Sequence, residues 1–445
     1  MSNRQKGISQ GIDTTIVWLY AILVMIGILC IFMVEYRNDG HWLQSFLNGK
    51  TSYSKQFIYA GVCTILATFI LLTDSKFFTA FANLLYAFGI LLMLSTFVIG
   101  KNINGSKSWI PLFGGFNLQP VEICKIFTAL ALAKFLSRQE TDFSKLKSQL
   151  IAGVITLLPA IISIIQHEAG MALVYFCFFL VMFREGLSPT ILIVGFSFVA
   201  LIISTLLIEP NTLAIILTVG AIITIYLLRK QFKRSKGLLT LIIFIWAACV
   251  GIQRFAVPFI FNNVLECYQS ARVYSAFGKD YNCSENKRSA KKSDKAPKKP
   301  DDYNVRQSKI AIGSGGLLGK GFLKGTQTRG KYVPAQSTDF VFTSLGEAFG
   351  FVGCLIFLLI YLFFLFRIIT IAERQRSTFS RVYAYSVVSI LLFHIAFNIC
   401  MTIGLFPSPG VTLPLISYGG SSMVSFTILI FILLRLDADR QMVLR

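Results

Sequence analysis

The sequence predicts an all-α fold: a polytopic transmembrane helical bundle of about twelve helices with one large extracytoplasmic loop. Three observations carry this. Of the 445 residues, 55% are hydrophobic and only 14% are charged, and the mean hydropathy is +0.67. Apolar runs of about 18 residues or more recur along most of the chain, the length a helix needs to cross a bilayer. Lys and Arg gather in the short connections between runs, where such residues orient helices. A transmembrane barrel would alternate in segments of about ten residues, and no such alternation occurs.

The expected spans are 14–35, 56–73, 77–99, 119–137, 149–166, 170–184, 187–208, 211–229, 237–257, 340–366, 382–404 and 411–434. The first lacks a small-residue cleavage pattern, so it reads as a span and not as a cleavable signal peptide. Arg4 and Lys6 precede it. Arg138, Lys145 and Lys147 follow the fourth span, and Arg229, Lys230, Lys233, Arg234 and Lys236 join the eighth to the ninth. Arg367, Arg374, Arg376 and Arg381 follow the tenth, and Arg435, Arg440 and Arg445 close the chain. With twelve spans all of these fall on one side, which places both termini in the cytoplasm. The turns at 166–169, 209–211 and 406–410 fall on the other side and carry no Lys or Arg.

One integral membrane domain is expected over 1–445, with an extracytoplasmic loop at 258–338 and a lysine-rich insert at 284–302. The insert's lysines run against the positive-inside rule, which is weak for loops beyond about 60 residues. Its composition reads as a disordered solvated segment, with attraction to anionic lipid or wall polymer as the sharper alternative. Cys267 and Cys283 flank this region on the oxidising side and form a candidate disulfide. The net charge of +21 is thereby assigned to loops and lipid headgroups, and no nucleic-acid partner is expected. Cys30, Cys63, Cys177, Cys249, Cys354 and Cys400 lie inside apolar runs as small core residues. With no CxxC pair and with His41, His167 and His394 far apart, a His/Cys metal site is unsupported.

The stretch from Tyr303 to Gly350 is the glycine-rich end of the one long polar segment, and it closes on Asp339, where the next apolar run begins. By position alone Asp339 reads as an N-cap for a helix starting at Phe340, in competition with Ser337 and Thr338. Glu122 and Lys125 are three apart and share a helix face inside a span; Glu168 is a third ionisable group near membrane depth. Such charges must face a cavity or one another, so an ion-pair network and a substrate cradle both stand, and Lys125 is expected to pair with Glu122 or Glu168. Trp109, beside Lys107 in an outer loop, reads as an interfacial anchor. The glycines of 313–325 give backbone freedom, but Gly321 stands where a nucleotide P-loop needs Ser or Thr after Lys320. The small residues of Ser417–Ser422 read as a close helix approach.

Several stretches together resemble the SEDS family of shape, elongation, division and sporulation proteins, closest to its RodA branch. INGSKSWIPLFGGFNLQPVEICKIFTALALAKFLS (Ile103–Ser137) is similar to the family's NGA–RW–QPSE–K region, and QHEAGMALV (Gln166–Val174) resembles QPDLGTALV. YQSARV (Tyr268–Val273), QSKIAIGSGGLLGKGFLKGTQ (Gln307–Gln327), STDFVFTSLGEAFGFVG (Ser337–Gly353) and GVTLPLISYGGSSM (Gly410–Met423) extend the likeness over most of the chain. The chain departs from the pattern at His167 and Glu168, where the family has Pro and Asp. It also departs in a helical hairpin at about 211–229 and 237–257 beyond the family's usual ten helices. A hairpin insertion preserves sidedness, so the large loop stays outside.

The resemblance implies polymerisation of lipid II, an undecaprenyl-pyrophosphoryl disaccharide-peptide, at the outer face of the bacterial cytoplasmic membrane. It also implies a class B penicillin-binding transpeptidase partner and other membrane proteins of the elongation complex. Such chemistry needs a carboxylate to take a proton from a sugar 4-hydroxyl, and cations for the leaving pyrophosphate. An α donor and a β polymer are met by one inverting displacement. The family pattern makes Asp339 the catalytic base, a role compatible with a helix N-terminus, which keeps a carboxylate ionised. Trp109 becomes a sugar-stacking or lid residue, and Glu122, Lys125 and Glu168 line the substrate. By their charge Arg272, Lys320 and Lys324 are candidates to neutralise pyrophosphate, with ordinary solvated cations on a flexible re-entrant loop as the alternative. A divalent cation, Mg or Mn, is compatible with the chemistry, though no ligand cluster demands one. A lipid-linked precursor flippase and a non-catalytic scaffold of wall synthesis are the alternatives.

Overall fold

Twenty-two residues, nearly all apolar, open the described chain as α1, Thr14–Glu35, which Asp13 begins by accepting the Ile16 N–H at 3.4 Å. The computed structural model describes residues 11–36, 46, 49, 51–103, 106–111, 116–232, 236–261, 301–406, 408 and 410–440. Arg272, Cys267 and Cys283, and the lysine-rich insert up to residue 300, lie outside the described residues.

The chain divides into two compact units, Met1–Leu187 with Asn304–Arg445, and Ser188–Tyr303. In the first, α2 (Ser52–Leu72) and α3 (Ser75–Ile99, capped by Asp74) lead to a small antiparallel sheet. Its strands are β1 (Lys101–Ile103), β2 (Ser106–Pro111) and β3 (Asn117–Leu118), in the order β1-β2-β3. Lys101 pairs with Trp109, and Ile110 with Leu118. Next come α4 (Pro120–Leu136), started by a proline at its first position, and α5 (Leu146–Ile165). After them, α6 (Ala169–Arg184) is interrupted by a 3₁₀ turn at Tyr175–Cys177. The second unit holds α7 (Pro189–Leu207), α8 (Pro210–Phe232) and α9 (Lys236–Gly251). The last of these continues through a π-helical turn at Ile252–Ala256 as far as Phe259. Trp246 Nε1 donates to Thr218 Oγ1 at 3.2 Å, and Gln253 Nε2 to the Pro210 carbonyl at 2.6 Å, tying α8 to α9.

The chain then forms α10 (Asp301–Ser314), α11 (Thr326–Arg329), α12 (Val341–Glu373), α13 (Thr378–Thr402) and α14 (Gly420–Ala438). Among the described residues ten helices are long and apolar enough to cross a membrane. The other two expected spans are the shorter α4, of 17 residues, and α6. The core of the first unit lies along α4, α13 and α14: 83% of the apolar window of α14 is buried, against 22% for α2. At one end of this bundle, Asp13 takes a forked pair of bonds from Arg367 (3.2 and 2.8 Å) and a third from Arg374 (3.0 Å). Arg374 also pairs with Asp437. The ends of α1, α12 and α14 are therefore joined by charge.

The helix α12 is broken inside. Gly350 has φ 63° and ψ −161°, a conformation that costs a Cβ-bearing residue dearly. The interruption frees backbone groups, and the glycine-rich loop satisfies them. Phe351 N–H donates to the Gly316 carbonyl (2.9 Å) and Val352 N–H to Leu317 (3.0 Å). In return Lys320 N–H reaches the Glu347 carbonyl (3.0 Å) and Gly321 N–H reaches Ala348 (2.9 Å). The stretch from Phe351 to Glu373, at 1.5 Å per residue, is roughly 34 Å long and crosses a bilayer by itself.

Four expectations need correction. The region around Trp109, expected as plain loop, is a three-stranded sheet. The last span begins at Gly420, not at 411: Val411–Gly419 is irregular, its backbone bonded to the side chains of Asn398, His394, Tyr361 and Gln56, to the Ser337 carbonyl through Tyr418 N–H, and only in a short turn at Leu413 to itself. The span expected at 340–366 runs to Glu373 and is split at Gly350. The loop expected at 258–338 contains α10, whose polar sequence hides it from hydropathy, and α11.

Candidate active site

Asp339 ends the turn that precedes α12. The N-cap position of that helix falls one residue later, on Phe340, which makes no side-chain cap; Asp339 is not the cap its position suggested. Its side chain is half-buried and lies against Gly410, where an added Cβ would sit 3.5 Å from Oδ2. The backbone of the turn is fastened from three places. Asn398 Nδ2, on α13, donates to the Asp339 carbonyl at 2.8 Å and to the Val411 carbonyl at 2.7 Å. Ser417 Oγ donates to the Thr338 carbonyl, and Tyr418 N–H to the Ser337 carbonyl at 2.8 Å. The SYGGSS segment thus buttresses the carboxylate, a role beyond the helix approach its small residues suggested.

Three half-buried rings stand beside this turn. Tyr59 of α2 lies 6.5 Å from Tyr418 and 5.7 Å from Phe116, centroid to centroid. Phe116 fits over Gly420, where a Cβ would clash with the ring at 2.4 Å. Gln56, fully buried, donates to the Ser417 carbonyl (3.4 Å) and accepts from Gly419 N–H (3.3 Å). Burial, reinforced by Tyr59, pushes the Tyr418 phenol up to about 12, so it stays neutral and serves as a donor or as an apolar wall.

Glu122 and Lys125 pair with each other, as their spacing allowed. Lys125 Nζ also meets His394 Nε2 at 3.1 Å and stands 4.1 Å from the centre of the Phe426 ring. His394 Nδ1 faces the Thr412 carbonyl at 3.1 Å. A carbonyl only accepts, so the bonding assigns the proton to Nδ1 and leaves Nε2 to accept from Lys125. Lys125 is 0% exposed and Glu122 1%. Neither offers a surface to a substrate, so the expected cradle is instead an internal strut.

Glu168 lies apart from that pair. Its Oε1 accepts from Ser106 Oγ (2.9 Å) and Ser108 Oγ (2.5 Å), which joins the sheet to the start of α6. The chain reverses here through a Schellman cap on α5: Glu168 N–H returns to Ser163 O (2.9 Å), and His167 N–H to Ile164 O (3.0 Å). His167 consequently sits at φ 64°. Proline's ring cannot reach that angle, so the His at the family's Pro position reflects a different local backbone.

Lys320 does not stand free for an anion. Its Nζ pairs with Glu347 Oε1 at 2.9 Å and bonds Thr326 Oγ1 at 2.7 Å. The buried Glu347 carboxylate also accepts from the Gln327 and Thr328 N–H groups (2.9 and 2.8 Å) and from Thr328 Oγ1 (2.5 Å). Lys320 is thereby a clamp on the loop; Lys324 is exposed. Trp109 is half-buried on β2. Asp339, Asn398, Ser417 and Tyr418 come together, while Glu122 with Lys125, Glu168, and Lys320 form three separate polar groups. Among the described residues no three His, Cys, Asp or Glu side chains gather as a metal site. Glu347, His394, Asn398 and Gln56 escaped the sequence reading. The signal for each was the same, a strongly polar side chain inside an apolar run.

A family model described as cell cycle protein, covering FtsW, RodA and SpoVE, matches residues 14–236 and 197–442. Over 465 residues the chain is 30% identical to the peptidoglycan glycosyltransferase RodA of Treponema pallidum (strain Nichols), covering 98% of this chain and 99% of that one. It is 30% identical over 350 residues to the peptidoglycan glycosyltransferase MrdB of Escherichia coli (strain K12), covering 78% and 75%. Its fold resembles that of the rod shape determining protein RodA of Thermus thermophilus, with a TM-score of 0.60 at 22% identity over 97% of this chain and 98% of that chain. A chain from a peptidoglycan synthase complex that coordinates polymerisation and crosslinking gives 0.67 at 22% identity, covering 96% and 98%.

Proposed function

Since the chain belongs to the FtsW/RodA/SpoVE family of cell cycle proteins and is a multi-pass peptidoglycan glycosyltransferase, we propose that it polymerises lipid II into glycan strands with Asp339 as general base. The supporting observation is the half-buried Asp339 carboxylate at the head of α12, on a turn fixed by Asn398, Ser417 and Tyr418.

The acceptor's 4-hydroxyl gives its proton to Asp339 as its oxygen attacks the anomeric carbon, and the C–O bond to the lipid pyrophosphate breaks. One displacement inverts the α donor to a β link. A base gains most when it is held in place before the reaction, since positioning alone is worth several orders of magnitude. The rings of Tyr59, Phe116 and Tyr418 suit sugar or isoprenoid faces. Lys324 and Arg272, which lies outside the described residues, are the cations assigned to the pyrophosphate. Lys320 holds the loop, Glu168 and Trp109 border the substrate, and Glu122 with Lys125 act from within. A bound Mg or Mn ion would take ligands chiefly from the pyrophosphate and water.

Both termini are assigned to the cytoplasm, supported by the Arg-rich end formed by Arg367, Arg374, Arg435 and Arg440; Asp339 lies at the other end of α12, on the outer side. The likeness to a chain of a peptidoglycan synthase complex supports a class B penicillin-binding transpeptidase as partner, within a larger elongation assembly. Purified protein with its transpeptidase is expected to convert lipid II to polymer, and Asp339→Ala to give none while retaining its melting temperature. Polymer from Asp339→Ala overturns the mechanism; transport of lipid II without polymer favours a flippase.

A further inference from the structure

The geometry points to Asn398 as the positioning residue for the base, acting on Asp339 through the main chain. The inference rests on the reading of Asp339 given above. Asn398 is 0% exposed, and one nitrogen makes both of its bonds, to the carbonyl of Asp339 (2.8 Å) and to that of Val411 (2.7 Å). Its Oδ1 has no partner among the described residues, so the side chain is held by these two bonds alone.

The residue type fits the task. Two carbonyls from separate segments converge, each needing a donor, and a primary amide is the neutral side chain that carries two N–H bonds on one nitrogen. A buried ammonium would supply them at a large desolvation cost. Asn398 also sets the distance between the two segments that flank the carboxylate: Asp339's own residue, and the irregular 410–412 segment against whose Gly410 Oδ2 lies. One helical turn earlier on the same face of α13, His394 holds the next carbonyl of that segment, Thr412, at 3.1 Å. The internal strut of Lys125 and Glu122 fixes His394 in turn. Two side chains of α13 thereby template the floor beneath the base.

The experiment compares Asn398→Ala with Tyr383→Phe in full-length protein with its transpeptidase. Tyr383 lies on the same helix, is equally buried, and donates to the Leu429 carbonyl at 3.1 Å, so its loss removes a buried hydrogen bond away from Asp339. Asn398→Ala is expected to lower kcat about 30- to 100-fold, as a displacement near 1 Å would. It should leave KM for lipid II within about twofold and shift the acid limb of the pH–kcat profile, as removal of the donor on the base's own residue predicts. Tyr383→Phe should melt early yet keep kcat and the pH profile. Should Asn398→Ala fail to fold, Asn398→Ser, which keeps one donor, is judged by the same three readouts. A kcat and pH profile for the Asn398 variant that match those of Tyr383→Phe overturn the inference. Polymer from Asp339→Ala removes the base itself, whereas an inert Asp339→Ala beside a fully active Asn398→Ala removes only the positioning role.

Discussion

Gly319 and Gly350 meet backbone to backbone. A Cβ on Gly350 would lie 2.3 Å from the Gly319 nitrogen, and one on Gly319 would lie 2.2 Å from the Ala348 carbonyl oxygen. Both residues have positive φ, 78° and 63°. Gly350→Ala and Gly319→Ala should each destabilise by about 2–4 kcal/mol, from the backbone conformation and the clash together. Gly313→Ala, with open space around it, should cost little. Thermal melts in detergent check this, and equal melting temperatures for all three would refute it.

Glu347 gathers five donors from Lys320 and the 326–328 segment. Glu347→Gln keeps the shape but loses the charge and turns one oxygen into a donor among donors. A loss of roughly 2–3 kcal/mol is expected. Trypsin should cut faster at the exposed Lys324 and Arg329. An unchanged cleavage rate would show that the loop is held by something else.

The strut of Glu122 and Lys125 should behave as a buried ion pair. Glu122→Gln or Lys125→Met alone leaves a partner stranded, at about 3–5 kcal/mol. Glu122→Leu with Lys125→Met should recover most of that stability. Polymerisation should stay impaired, because His394 has lost the group that fixes its Nε2. A double variant as unstable as the single ones contradicts this account.

Asp13 provides a pH test outside the spans. Burial alone would raise its pKa, but the forked bond and charge of Arg367, helped by Arg374, outweigh burial and hold it below the usual carboxylate value. A depressed folded value means stability that is present above the unfolded pKa of about 3.9 and lost as pH falls through the folded one. Melting temperature should therefore drop between about pH 5 and pH 3. Asp13→Asn should start lower and show a flatter drop. Parallel curves for the two proteins would rule out this assignment.

Much of this was legible in the sequence. Twelve apolar stretches announce themselves because every backbone group in a bilayer must be bonded internally. Hydropathy does not reveal where those bonds go. Val411–Gly419 continues the apolar run of the last span, yet its backbone bonds chiefly to the side chains of Asn398, His394, Tyr361 and Gln56; Gly350 looks like any glycine in a membrane helix, yet it breaks one. The 301–314 helix was missed for the opposite reason, its charge. Asp339 stood out through its motif. Asn398, which reaches it across 59 positions of sequence, carries no local signal beyond an amide in an apolar helix.

The fastening of Asp339 also bears on how such chains diverge. Three of the anchors of its turn, Asn398, Ser417 and Tyr418, lie downstream of it, within 21 positions of one another. The spacing from 398 to 418 is therefore a ruler for that turn, and a single insertion within it would carry one anchor out of step with the others.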